Sequence, residues 1–218
     1  RLGYRRKWGF LLNRTMVDQK DSASGHEIDL NLRLVSLVSD KIWDGSLTIP
    51  VDPAALRSVE SLMAERRIEG QNLLLIHAGT SNPEKRWPLE RFVELCDRVR
   101  SQSDLTVLLV GGEEERSYSD QIVSLVRSPL VNWTGLLSLQ ELVALIRHAT
   151  VKALVSSDSG PVHMAWMSGV PVIALYGKNV AGSNPARWGP RGVLNEVIYK
   201  PLSDITCEEV WSAVKRIM

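Results

Sequence analysis

Apolar and polar positions alternate between two regimes along this chain. Short runs that are apolar at nearly every position recur from residue 73 onward: Leu73-Leu74-Leu75-Ile76, Leu105 to Val110, Val151 to Val155 and Val170 to Tyr176. Between them lie stretches whose apolar residues recur every three or four positions, as in Leu89 to Arg100 with Phe92, Val93, Leu95, Cys96 and Val99. The first pattern predicts strands buried on both faces, the second amphipathic helices. Further helices are expected over Ser24 to Ser39, Ala54 to Arg67, Ser117 to Arg127, Ser138 to His148 and from Thr206 to the end. Ser138 with Glu141, and Thr206 with Glu209, have the spacing of capping boxes. Trp8 to Leu12 and Val193 to Tyr199 are expected as strands, and residues 40–54, with Gly45, Pro50 and Pro53, as a connector. Strands that are apolar throughout, alternating with helices, imply an α/β fold: a Rossmann-like parallel sheet with helices on both faces.

Composition narrows the function classes. A length of 218 residues can hold one large domain or one and a half smaller ones, and a net charge of +1 gives no overall field drawing the chain to nucleic acid. Cys96 and Cys207 each fall in a helical pattern and read as free core thiols of a reducing compartment. No apolar run approaches the ~20 residues of a membrane span. The chain opens on Arg1, in mid-pattern and without a signal peptide, which reads as the later part of a longer protein. Arg1, Arg5, Arg6 and Lys7, interleaved with Tyr4 and Trp8, form a basic aromatic cluster. A solvated edge is the first reading of it, contact with an anionic surface the second.

In a parallel sheet, ligands lie beyond the carboxyl ends of the strands. Four segments leave strands there. His77 to Pro88 contains Gly79 for close backbone approach, Thr80 and Ser81 as hydroxyls, and Lys85 and Arg86 as cations, a phosphate-binding composition. Gly111-Gly112 precedes three acids, Glu113 to Glu115, suited to ribose hydroxyls or to a helix start. Ser156 to His163 turns from strand into helix, with Pro161 suited to the first helical turn and His163 just inside it. Its backbone N–H groups favour an anion, while Asp158 is suited to orienting the loop or accepting from sugar hydroxyls. The fourth segment, Tyr176 to Gly192, carries Lys178, Arg187 and Arg191. Gly177-Lys178 lacks the hydroxyl residue and glycine spacing of a P-loop, no G-x-G-x-x-G follows a strand, and the histidines and cysteines lack metal-ligand spacing. The acceptor patterns at Asn13 and Asn132 read as chance.

Taken in order, His77-Ala78-Gly79-Thr80-Ser81, Lys85-Arg86-Trp87-Pro88, Gly111-Gly112 with a Glu, Thr134-Gly135, Asp158-Ser159-Gly160 with His163, and Pro185 to Pro190 resemble glycosyltransferase family 9, the bacterial lipopolysaccharide heptosyltransferases. The resemblance covers nearly the whole chain. It implies a GT-B fold, with residues 1–55 the remnant of the N-terminal acceptor domain and connector. Residues 56–218 would be the C-terminal nucleotide-sugar-binding domain with a final crossing helix. It implies transfer of heptose from ADP-heptose to an inner-core acceptor with inversion, at the cytoplasmic face of the inner membrane. Neither metal nor further cofactor is expected. Thr80, Ser81 and Lys85 would contact the donor diphosphate from one side. Ser159, Gly160 and His163, supported by Asp158, would do so from the other. Glu113 would face the ribose, with Glu115 as its competitor, and Leu137 would pack near the base. Lys85 and His163 would stabilise the leaving group, and the general base would come from the acceptor domain. Ser159 stands where that family often has Thr, and the 178–183 segment is longer than usual. A binding module without catalysis, or the same fold using a UDP or GDP sugar, are the alternatives.

Overall fold

The computed structural model describes residues 1–17, 25–41 and 47–217. The chain divides into two compact units, Arg1–Ser46 with Asn184–Gly189, and Leu47–Ser183 with Pro190–Met218.

The larger unit is built on a six-stranded parallel sheet in the order β5-β4-β3-β6-β7-β8. Its strands are β3 (Leu73–His77), β4 (Thr106–Val110), β5 (Val131–Asn132), β6 (Val151–Ser157), β7 (Val172–Gly177) and β8 (Glu196–Lys200). Every residue of β3 and β7 is buried. Leu74 and Ile76 of β3 join one core with Val107 and Leu109 of β4 and the apolar sides of α3 (Leu89–Gln102), α4 (Arg116–Leu125) and α8 (Cys207–Ile217). The other face is covered by α2 (Pro53–Glu65), α5 (Leu139–Ile146) and α6 (Gly160–Met167). Strands sandwiched this way need apolar residues at successive positions, so β3 and β7 show no alternation, whereas the edge strand β8 alternates between half-buried and exposed residues. Asp52 caps α2, accepting from the Ala54 N–H at 2.8 Å. Both expected capping boxes form: Ser138 with Glu141, and Thr206 with Glu209. Trp87 packs edge-on to Phe92 at 4.9 Å and donates to Ile205 O at 3.0 Å, tying the loop after β3 to the segment before α8. Cys96 and Cys207 are free and buried, and burial pushes both thiols up to about 12.

The smaller unit pairs β1 (Leu2–Arg5) with β2 (Arg14–Val17) in parallel. Trp8 to Leu12 is not a strand. Gly9–Leu11 forms a 3-10 turn that brings the chain back between β1 and β2. The aromatic and apolar side chains there, which suggested a strand, are exposed instead: Trp8, Phe10 and Leu11. The first helix, α1, runs Glu27–Val35; Ser24 lies outside the described residues. His26 caps it, Nδ1 accepting from the Ile28 N–H, so Nε2 carries the hydrogen and donates to Gly189 O at 3.0 Å. Arg187, on the one-turn helix α7 (Pro185–Trp188), pairs with Glu27 at 2.9 Å.

Candidate functional site

The loops after β3, β4 and β6 converge on one cavity of about 320 Å³ within the larger unit. A larger cavity of about 540 Å³ between α3 and α4 is lined by side chains of both charges, Glu94, Asp97, Arg98 and Arg127 among them, away from the strand ends.

The loop after β3 is shaped by its own sequence. Asn82 Oδ1 accepts from the Glu84 N–H at 3.0 Å and starts a 3-10 turn over Pro83–Lys85, with proline where no N–H is needed. That turn separates its two cations. Lys85 faces the cavity, and its Nζ sits 2.7 Å from Asp158 Oδ2. Arg86 turns inward, donating to Thr80 O at 3.2 Å and stacking over the Tyr118 ring at 4.8 Å. Lys85 and Asp158 are 22% and 9% exposed, so the pair is only partly screened by water. Asp158 also receives the Tyr176 hydroxyl. Burial, then the charge of Asp158 and this hydrogen bond, push that phenol well above its usual range. Asp158 thus holds Lys85 in place from below, joining the loops of β3 and β6. Thr80, Ser81, Ser159 and Gly160 complete this wall. Gly160 opens α6, so that helix presents its N-terminal end here.

Opposite lies the turn Glu113–Glu115. Glu115 Oε2 accepts from the Gly112 N–H at 2.8 Å and from His77 Nε2 at 3.0 Å. Burial alone would raise its pKa, but the hydrogen bond and charge of His77, the Gly112 N–H and the charge of Arg86 outweigh that and hold it below the usual carboxylate range. Two glycines make room for it. A Cβ on Gly79 would lie 2.1 Å from Glu115 Cδ, and one on Gly111 2.6 Å from its Oε2. Leu139, Leu142 and Met164 add an apolar side.

Of the residues singled out from sequence, Thr80, Ser81, Lys85, Asp158, Ser159 and Gly160 are brought together. Glu113, Leu137 and His163 do not line the cavity. Glu113 is exposed and paired with Arg116 at 3.1 Å, Leu137 is half-buried, and His163 Nδ1 receives the Trp166 indole N–H at 3.4 Å. No residue of the segment 176–192 lines it either. Sequence reasoning gave His77 and Tyr176 no role. The available signal was a titratable or hydroxyl side chain at the end of a strand that is otherwise apolar. Among the described residues no cluster of three metal-ligating side chains occurs, and no helix is long and apolar enough to cross a membrane.

Comparison with known proteins is consistent with this architecture. The lipopolysaccharide core heptosyltransferase OpsX of Haemophilus influenzae is 28% identical over 193 residues, covering 83% of this chain and 54% of that protein. The chain therefore spans about half the length of this curated relative. A glycosyl transferase family 9 structure from Veillonella parvula superposes with a TM-score of 0.83 at 23% identity, covering 94% of this chain and 63% of the other. The structure of E. coli ADP-heptose lps heptosyltransferase II gives 0.78 at 22%, covering 99% and 68%. These two likenesses show a shared fold. The family model for glycosyltransferase family 9 (heptosyltransferase) matches residues 3–216, and this chain belongs to that family.

Proposed function

We propose that this chain is the donor-binding half of an inverting, GT-B-type heptosyltransferase that uses ADP-heptose and a lipopolysaccharide inner-core acceptor. The observation that carries the reading is the junction of the β3 and β6 loops, where Lys85 is held by Asp158 beside the N-terminal end of α6. Departure of a nucleoside diphosphate builds negative charge on its leaving oxygen. A preoriented ammonium and free backbone N–H groups lower the barrier by meeting that charge where it develops. Thr80, Ser81, Ser159 and Gly160 would hold the diphosphate between the two loops. Asp158 would position Lys85, and a ribose would lie toward the acidic turn at Glu113–Glu115. His163, one turn into α6, would offer its other ring nitrogen as a donor at that helix end, and Leu137 would stand near the base. A carboxylate of the family's acceptor domain would take the proton from the acceptor hydroxyl as it attacks the anomeric carbon. The similar E. coli protein is an ADP-heptose lps heptosyltransferase and the Haemophilus relative a lipopolysaccharide core heptosyltransferase, which supports the choice of substrates.

Hydrogen exchange of this chain with and without ADP tests the site. Slower exchange at residues 79–85 and 159–163 is expected, and protection confined to residues 5–14 would overturn the assignment. Parallel titrations with UDP and GDP decide the nucleotide, tighter binding of either replacing ADP in this reading. In a version carrying the acceptor domain, Lys85→Ala should lower turnover by about 100-fold or more, the scale of losing one preorganised charge stabiliser. Unchanged turnover would remove Lys85 from the chemistry.

A further inference from the structure

The polar chain beneath the cavity has an internal logic of its own. His77 is 4% exposed and ends a strand whose other residues are all apolar. Its Nε2 meets Glu115, and its Nδ1 lies 3.0 Å from Ser156 Oγ and 3.3 Å from Ser159 Oγ. Ser156 Oγ is 2.8 Å from Ser159 Oγ and 2.9 Å from Ser157 O. Ser159 lines the cavity, whereas Ser156 is fully buried.

Counting hydrogens restricts the states of this chain. An ionised Glu115 only accepts, so Nε2 carries a hydrogen. If Nδ1 is bare, it must be satisfied by a serine hydrogen. Either Ser159 donates to it directly, or Ser156 does and Ser159 donates to Ser156. In both cases the Ser159 hydrogen points inward and its lone pairs face the cavity, which repels an anion. If Nδ1 takes a proton from solvent, it donates to Ser156. Ser156 then donates to Ser159 or to Ser157 O, and in either case the Ser159 hydrogen is released from the ring and free to turn out to the cavity.

We propose that His77 is a positioning residue of this site: doubly protonated between Glu115 and Ser156, it turns the hydroxyl chain outward so that Ser159 donates to a bound phosphate oxygen, which couples phosphate binding to protonation of the ring. The inference rests on the reading of the cavity as a diphosphate site. The groups facing the ring are Glu115 from the turn after β4 and the two serines from the end of β6 and the start of α6. The neighbouring charges are Arg86, which acts on Glu115, and Glu114 and the Lys85–Asp158 pair on the same cavity.

A double-mutant cycle with ADP as the probe tests it. His77→Gln keeps a donor for Glu115 but offers nothing to Ser156, and Ser159→Ala removes the outer hydroxyl. Each should weaken ADP binding about tenfold, the scale of one charge-assisted hydrogen bond. The double variant should lose about tenfold, not a hundredfold, because both changes cut the same chain. His77→Asn keeps an N–H on the Ser156 side, so its ADP affinity should stay within about threefold of the unmodified chain. As pH rises, the unmodified chain should lose more affinity than Ser159→Ala, which shares only the titration of ADP itself. Circular dichroism checks that each variant folds. If His77→Gln does not, the pH comparison with Ser159→Ala decides. A hundredfold loss in the double variant, or identical pH profiles, would overturn the role of His77 alone. Failure of the unmodified chain to bind ADP at all would overturn the site reading beneath it.

Discussion

The six-stranded sheet and the two-stranded β1–β2 pair are both parallel, yet they rest on different physics. Every residue of β3 and β7 is buried between helical layers, and the site residues stand at the ends of such strands. No residue of β1 or β2 is buried, and the turn between them exposes Trp8 and Phe10. A parallel pair gains only a small net energy through its hydrogen bonds alone, since water competes for them. It is secured by the apolar surface its two faces remove from water. A catalytic or binding group held to within fractions of an ångström therefore belongs on the first kind of sheet.

The largest test of that contrast is Trp87→Ala. Trp87 is fully buried, packs on Phe92 and anchors the loop that carries Lys85. Its removal should destabilise the chain by about 3–5 kcal/mol in urea unfolding, the range for deleting a buried aromatic. A much smaller loss would mean that the loop is not braced by this core.

Acid should next distinguish the regions. Glu115 has its pKa lowered on folding, so its contribution is present above the unfolded-state value and is lost as pH falls through the folded one. Glu115→Gln should therefore flatten the fall of melting temperature on the acid side, below the usual carboxylate range, and leave its slope near neutrality unchanged. An unaltered acid limb would show that Glu115 is not the group responsible.

Ser138→Ala removes one half of a capping box that closes the N-terminus of α5 and should cost about 1 kcal/mol. Phe10→Ala, at a side chain 76% exposed, should change unfolding by less than about 0.5 kcal/mol. A cost for Phe10 approaching that of Trp87 would erase the contrast, because it would show the turn between β1 and β2 to be packed.

How much was legible beforehand follows the same division. Periodicity alone places β3, β4, β6 and β7 and the helices between them, because a strand buried on both faces must be apolar at every position and a helix on its surface only every third or fourth. Capping at Ser138 and Thr206 is likewise local chemistry, carried by residues three positions apart. In the smaller unit the local signal misleads. Aromatic density at Trp8 to Leu12 favours a strand, but Gly9–Leu11 turns, and short strands lie on either side. The two-residue β5 is too short for any periodicity to register.

The cavity divides along the same line. Sequence by itself determined that Thr80, Ser81, Lys85, Asp158, Ser159 and Gly160 leave strand ends at one edge of a parallel sheet, since strand direction and connection fix the edge. Only the tertiary structure decided that Lys85 faces Asp158 while the adjacent Arg86 stacks on Tyr118, that Glu115 rather than Glu113 turns inward, and that His77 joins Glu115 to the two serines. Those choices separate residues that are neighbours in sequence and chemically alike. They depend on which space is empty, and that space is left by Gly79 and Gly111, on two different strands' loops, where a side chain would strike the Glu115 carboxylate. Steric exclusion between Gly79 and Glu115, 36 residues apart in the chain, has no signature in the sequence around either, whereas the burial of a strand has one along its whole length.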